Sequence, residues 1–171
     1  PARAMVVAAM NPCPCGFLGD TSNRCRCAPA QVRRYHSKMS GPLLDRIDLH
    51  IEVPSVPYEQ LRDGHTGEPS STMRKRVQAA RDVQKQRYAG SPTHCNAMME
   101  ARDVRRYCDL DEAAESLLAT AMDQLLLSAR GHDRILKVAR TVADLDGGEQ
   151  IDATHIAEAI QYRSLDRLSR D

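Results

Sequence analysis

Apolar positions along this 171-residue chain follow two different spacings. Ala4-Met5-Val6-Val7-Ala8-Ala9-Met10 is a continuous apolar run that stops at Asn11-Pro12, the pattern of a strand covered on both faces in a parallel sheet. Ile47-Asp48-Leu49-His50-Ile51-Glu52-Val53 alternates strictly and stops at Pro54, which predicts a second strand with one more polar face. A short helix is expected between them, over Ala30 to Met39. From Tyr58 to Ser71 the composition shifts to Gly64, Gly67, Pro69, Ser70 and Ser71, the mark of a linker.

Beyond the linker the spacing becomes helical. Met73 to Ala89 is charged with a thin apolar stripe, with Thr72 placed to cap its start and Gly90 and Pro92 to stop it. Leu110, Ala113, Ala114, Leu117, Leu118, Ala121 and Leu125 recur at three- and four-residue steps, as on a core-facing helix. Ser128 is placed to cap a further helix whose Ile135, Leu136, Ala139, Val142 and Ala143 share a face, ended by Gly147-Gly148. A last helix starts at Asp152, where Ile151 and Ile156 occupy the two positions of a hydrophobic staple. No internal repeat or low-complexity tract interrupts this order.

Composition sharpens that picture. Hydrophobic residues make up 42% of the chain but aromatic ones only 4%, with no Trp and one Phe, so any core is built from aliphatic side chains and Met. That supply suits packed helices better than sheets. The net charge of +1 excludes a uniformly basic body; positive charge is local. It gathers at Arg24, Arg26, Arg33, Arg34 and Lys38, and again at Arg74, Lys75, Arg76, Arg81, Lys85 and Arg87, and either cluster could meet nucleic-acid phosphates or form a solvated face. No apolar run approaches the roughly 20 residues that a membrane span needs, and the start lacks the layout of a signal peptide, so a soluble, cytoplasmic protein without a membrane partner is expected.

Cys13, Cys15, Cys25 and Cys27 form two close pairs, C-x-C-x9-C-x-C, across a loop containing Gly16, Gly19 and Asp20. Tetrahedral zinc needs four convergent soft ligands, and two such pairs supply them; reduced thiols and disulfides are the alternatives. Cys95 and Cys108 have no comparable partner and read as small apolar residues. The six histidines show no paired spacing, and none is assigned a catalytic role.

Three motifs in order give the chain a family resemblance. They are Asn11-Pro12-Cys13-Pro14-Cys15-Gly16, Ser40-Gly41-Pro42-Leu43-Leu44-Asp45-Arg46-Ile47-Asp48-Leu49, and Ser128-Ala129-Arg130 with Ala139-Arg140-Thr141-Val142-Ala143-Asp144-Leu145. With the ending His155 to Arg163, they resemble the magnesium-chelatase-like AAA+ ATPases, the ComM/YifB group. The resemblance implies a mostly α chain: the rear part of an AAA+ α/β ATPase domain with a cysteine-rich insert (residues 1–57, two short strands and one helix), a linker (58–71) and a helical lid (72–171). No G-x-x-x-x-G-K-[S/T] loop and no acidic Walker B strand occur in the sequence. The resemblance places them upstream of Pro1, and the chain alone is expected to lack turnover.

The resemblance also implies roles. Asn11, at the end of the first expected strand, is similar to sensor 1, which positions the attacking water; a simple turn is its other reading. Arg46 is similar to an arginine finger acting on a neighbouring subunit's nucleotide, against a local ion pair with Asp45 or Asp48. Arg130 stands in the first turn of its helix, where a cation opposes the helix dipole unless an anion joins it. It is similar to sensor 2, with Arg134 the fallback and a plain surface arginine the alternative. The implied cofactors are ATP and Mg²⁺, with structural Zn²⁺ on the cysteines, and the implied partners are further copies in a hexameric ring and DNA, as substrate of strand exchange or branch migration. A zinc-stabilised, non-catalytic interaction module and a protein-remodelling or chelatase-type ATPase subunit are the competing functions.

Overall fold

Ile135, Leu136, Ala139, Val142 and Ala143 fall on one face at helical spacing, and that face is buried throughout. They belong to a helix spanning Ala129–Asp146, the centre of the larger of two regions in the computed structural model, which describes residues 4–20, 23–56, 58–62 and 67–163. In chain order the described helices are α1 (Pro29–His36), α2 (Gly41–Leu44), α3 (Tyr58–Arg62), α4 (Ser70–Arg87), α5 (Ala101–Tyr107), α6 (Glu112–Gln124), α7 (Ala129–Asp146) and α8 (Ala153–Gln161), with a single 3-10 turn at Asn96–Met98.

Helices α4 to α8 form the lid. Its core joins Tyr88, Met99, Val104, Ala114, Leu118, Ile135, Leu136, Ala139, Ile151 and Ile156, with α8 and α4 against α7 and α6 against α8. Ile135, Ile151 and Ile156 are wholly buried, each contributing about 1.5–3 kcal/mol relative to exposure. The termini follow the sequence closely. Asp111 accepts from the Ala114 amide, Ser128 from that of Gly131, and Asp152 from those of Thr154 and His155, each satisfying amides that have no partner inside the helix. Gly147 closes α7 with a φ of 76°, a left-handed conformation that glycine adopts without strain. The expected Ile151–Ile156 staple is in place, and a parallel bridge between Leu110 and Ile151 ties the entries of α6 and α8 together.

The front region is built differently. α1 buries no residue, and Met5, Val6, Val7 and Val53 are between 84% and 91% exposed. Neither expected strand is found: residues 4–10 and 47–53 carry no ladder, and among the described residues the Leu110–Ile151 bridge is all the β pairing recorded. A strand requires a neighbour's backbone groups, and the two segments do not supply them to each other. The expected linker is also partly helical. Pro69 takes the N-cap position of α4, so that Ser70 and Ser71 lie inside the helix and Thr72 is not its cap, while 58–62 forms α3; Gly64 lies outside the described residues. No described helix is long and apolar enough to cross a membrane.

Candidate functional site

Gly41-Pro42-Leu43-Leu44 closes into the single turn of α2 because Pro42 fixes φ at a first-turn position. Leu44 is buried and anchors it, and the chain continues as a turn in which the Arg46 amide donates to the Leu43 carbonyl and that of Ile47 to Leu44. Arg46 projects from that turn exposed, giving one N–H to the Pro42 carbonyl at 3.1 Å. The two acids that could have neutralised it are engaged elsewhere. Asp48 pairs with Arg134 at 2.9 Å, and Asp45 lies 3.4 Å from the Ser128 hydroxyl and 3.9 Å from the Arg163 guanidinium.

Ser128 is the cap of α7, and Arg130 follows two residues later, exposed and without a hydrogen bond or ion pair to another described residue. The structure therefore sets the Arg46 turn beside the helix start that carries Arg130, through the Asp45–Ser128 contact. Arg134, one turn further on, has a side chain only 20% exposed and pairs with Asp48, which ties α7 to the Arg46 turn. Asn11 is exposed beside the cysteine loop, its side-chain amide 3.8 Å from where a Gly16 Cβ would lie. Among the described residues no hydrogen bond links Asn11 to either arginine.

The four cysteines converge. Their sulfurs all lie within 4.8 Å of one another, with Cys13 3.3 Å from Cys15 and Cys25 3.8 Å from Cys13 and 3.7 Å from Cys15. Four sulfurs about 2.3 Å from a tetrahedral zinc stand about 3.8 Å apart, so the spacing suits that ion. None of the cysteines is in a disulfide. The turn that brings Cys13 and Cys15 together has the Gly16 amide on the Cys13 carbonyl, and Gly16 adopts a φ of 84°. Crowding splits the thiols electrostatically. The Phe17 backbone amide and then the Cys13 side chain bring the Cys15 thiol down to about 6. At Cys27 the backbone hydrogen bond to Cys15 is outweighed by the Cys15 side chain and desolvation, and the thiol is pushed up to about 12. Four bare thiolates repel one another, and a divalent cation removes that opposition.

Around this knuckle Arg24 pairs with Asp20 at 2.6 Å and lies 4.4 Å over the Phe17 ring, whereas Arg26, Arg33, Arg34 and Lys38 are exposed. The second basic cluster is less open than its sequence suggests. Arg76 pairs with Glu68 at 2.9 Å, and Arg87 is drawn into the lid.

The destination of Arg87 is a polar hub that pattern reading did not identify. Its guanidinium donates to Asp144 at 2.7 Å and to Asn96 at 3.1 Å; Arg140 donates to the other Asp144 oxygen at 3.1 Å and to the Gly148 and Glu149 carbonyls. Asn96 also receives the Tyr88 hydroxyl and gives its amide to Thr141 and Asp144. Burial alone would raise the Asp144 carboxyl, but hydrogen bonds from Arg87 and Asn96 and the charges of Arg87 and Arg140 hold it below its ordinary value. Arg140 and Asp144 were quoted for their motif; their signal was an i, i+4 charged pair beside Ala139 and Ala143 on an apolar face. Cys108 donates to the Leu136 carbonyl, and burial pushes its thiol up to about 12, in keeping with a packing role.

Residues 67–163 match the family Magnesium chelatase, subunit ChlI C-terminal, and residues 1–61 match Magnesium chelatase, subunit ChlI. The chain belongs to the magnesium-chelatase-like family. It is 44% identical over 169 residues to the competence protein ComM of Haemophilus influenzae, covering 98% of this chain and 32% of ComM. It is 42% identical to the uncharacterized protein YifB of Salmonella typhimurium and 41% identical to YifB of Escherichia coli, in each case over 98% of this chain and 32% of the relative. The chain thus spans about a third of the length of these relatives.

Proposed function

We propose that this chain is the rear of the ATPase domain and the helical lid of a ring-forming AAA+ ATPase that acts on DNA. One observation carries the reading: two exposed arginines, Arg46 and Arg130, stand on elements joined by the Asp45–Ser128 contact, while Asp45 and Asp48, the acids beside Arg46, are engaged elsewhere. In this reading Arg46 completes the nucleotide site of the neighbouring subunit, Arg130 meets phosphate from the lid and Asn11 orients the attacking water. Charge stabilisation by a finger of this kind is worth about 10³–10⁵ in turnover. Bound ATP and Mg²⁺ supply the scissile phosphoanhydride and the neutralisation of its oxygens; the chain's own arginines bind and orient. Zinc on Cys13, Cys15, Cys25 and Cys27 serves as a structural ion that orders the insert following Asn11.

In the full-length protein, Arg46→Ala is expected to abolish ATP turnover with nucleotide binding largely intact, and DNA is expected to stimulate the wild-type rate. Full turnover in Arg46→Ala would refute the finger role. Hydrolysis indifferent to DNA but stimulated by a protein substrate would favour a protein-remodelling subunit.

A further inference from the structure

Among the described residues Arg163 has the largest fully buried side chain, two residues beyond the end of α8. Burying a guanidinium is costly unless its donors are used, and an apolar residue would close the helix end more cheaply. Here the donors reach across 116 residues of sequence to the Ile47 carbonyl at 2.6 Å, with the Asp45 carboxylate 3.9 Å away as counter-charge. The next residue back repeats the link, since the Tyr162 carbonyl accepts the amide of buried His50 at 2.8 Å. The segment 45–50 is thereby clamped at both ends, with Asp48 held by Arg134 from α7 and Asp45 touching Ser128.

Arg46 sits inside this clamp. Among the described residues its backbone has no sheet neighbour to fix it, and its own side chain bonds only the Pro42 carbonyl. We propose that Arg163 is a positioning residue: it locks the arginine-finger turn to the lid, so that Arg46 and Arg130 move as one unit. The proposal rests on the reading of Arg46 given above. Its consequence is that the angle of the lid sets where the finger points, and lid movement withdraws or delivers the finger without any change in the residues that touch nucleotide.

The test uses the full-length protein with Arg163→Met, which keeps an apolar stem but no donor, Arg163→Lys, which keeps the charge on a single donor nitrogen, and Asp45→Asn. Because misplacing a catalytic group by an ångström can cost about 10²-fold, Arg163→Met should lower kcat at least about 10-fold while the nucleotide KM stays within about twofold. Hydrogen exchange at the Ile47 and His50 amides should quicken together with that loss, and Arg163→Lys should recover part of both. Unchanged exchange and kcat in Arg163→Met, with Arg46→Ala inactive, overturns the proposal alone; full turnover in Arg46→Ala overturns the finger reading and the proposal with it. Should Arg163→Met melt the lid, Asp45→Asn decides, because half-exposed Asp45 lies outside the lid core. Quickened exchange across 46–50 with reduced kcat supports the clamp, and wild-type behaviour refutes it.

Discussion

The helical region 70–163 and the described residues of the segment 11–28 are held in place by different means. The lid closes over aliphatic side chains that are wholly buried, with a satisfied polar hub at the α4–α7 junction. Among its described residues the knuckle contributes one buried apolar residue, Cys13, and its backbone–backbone hydrogen bonds are local, with one longer tie between His36 Nε2 and the Pro12 carbonyl at 2.9 Å. A segment this short has too little core to be ordered by burial alone, and a metal ion on the four sulfurs would supply what burial does not. The difference shows why one chain carries two kinds of sequence signal: periodicity where packing decides, and close cysteine pairs where packing is scarce.

The comparison breaks most visibly at the proposed zinc site. The purified protein is expected to hold about one zinc per chain, and Cys25→Ser or chelation should remove it, quicken amide exchange across residues 13–27 and leave the lid's melting unchanged. Elemental analysis with hydrogen exchange checks this, and a metal-free protein with a protected knuckle would contradict it.

The next largest effect lies in the lid. Asp144→Ala leaves Arg87 and Arg140 as buried cations without their partner and should cost about 3–5 kcal/mol in denaturant unfolding. The same group sets an acid limit. Its folded carboxyl lies below the unfolded value of about 3.9, so its stabilisation is complete above that pH and declines as pH falls toward the depressed folded value. The variant should lack this component of acid sensitivity; an identical pH profile would show that the hub is not its source.

The smallest effect belongs to the junction. Ser128→Ala removes the cap of α7 and should cost about 1 kcal/mol by thermal melting. A cost near zero would mean that the Asp45 side of this junction contributes little to the helix.

Helices α4, α6, α7 and α8 were legible because their apolar faces are local patterns that packing preserves, and so were the Ser128 and Asp152 caps. The cysteine cluster was equally legible, since two close pairs can meet across one short loop. The strands expected at Ala4–Met10 and Ile47–Val53 were not realised, because a strand depends on partners that its own pattern does not contain. The hub and the Arg163 clamp escaped because each joins residues far apart in sequence: Arg87 read as a surface cation, and nothing local marks Arg163 as reaching Ile47. Arg46 and Arg130 were singled out by motif, but only the fold brings their elements together.

Mixing subunits tests the central claim most directly. Arg46→Ala subunits combined with subunits lacking the Walker lysine should hydrolyse ATP, although each alone does not, because the second supplies the finger to the first one's intact phosphate loop. Absence of recovered turnover in rings shown to be mixed would contradict a finger that acts on its neighbour.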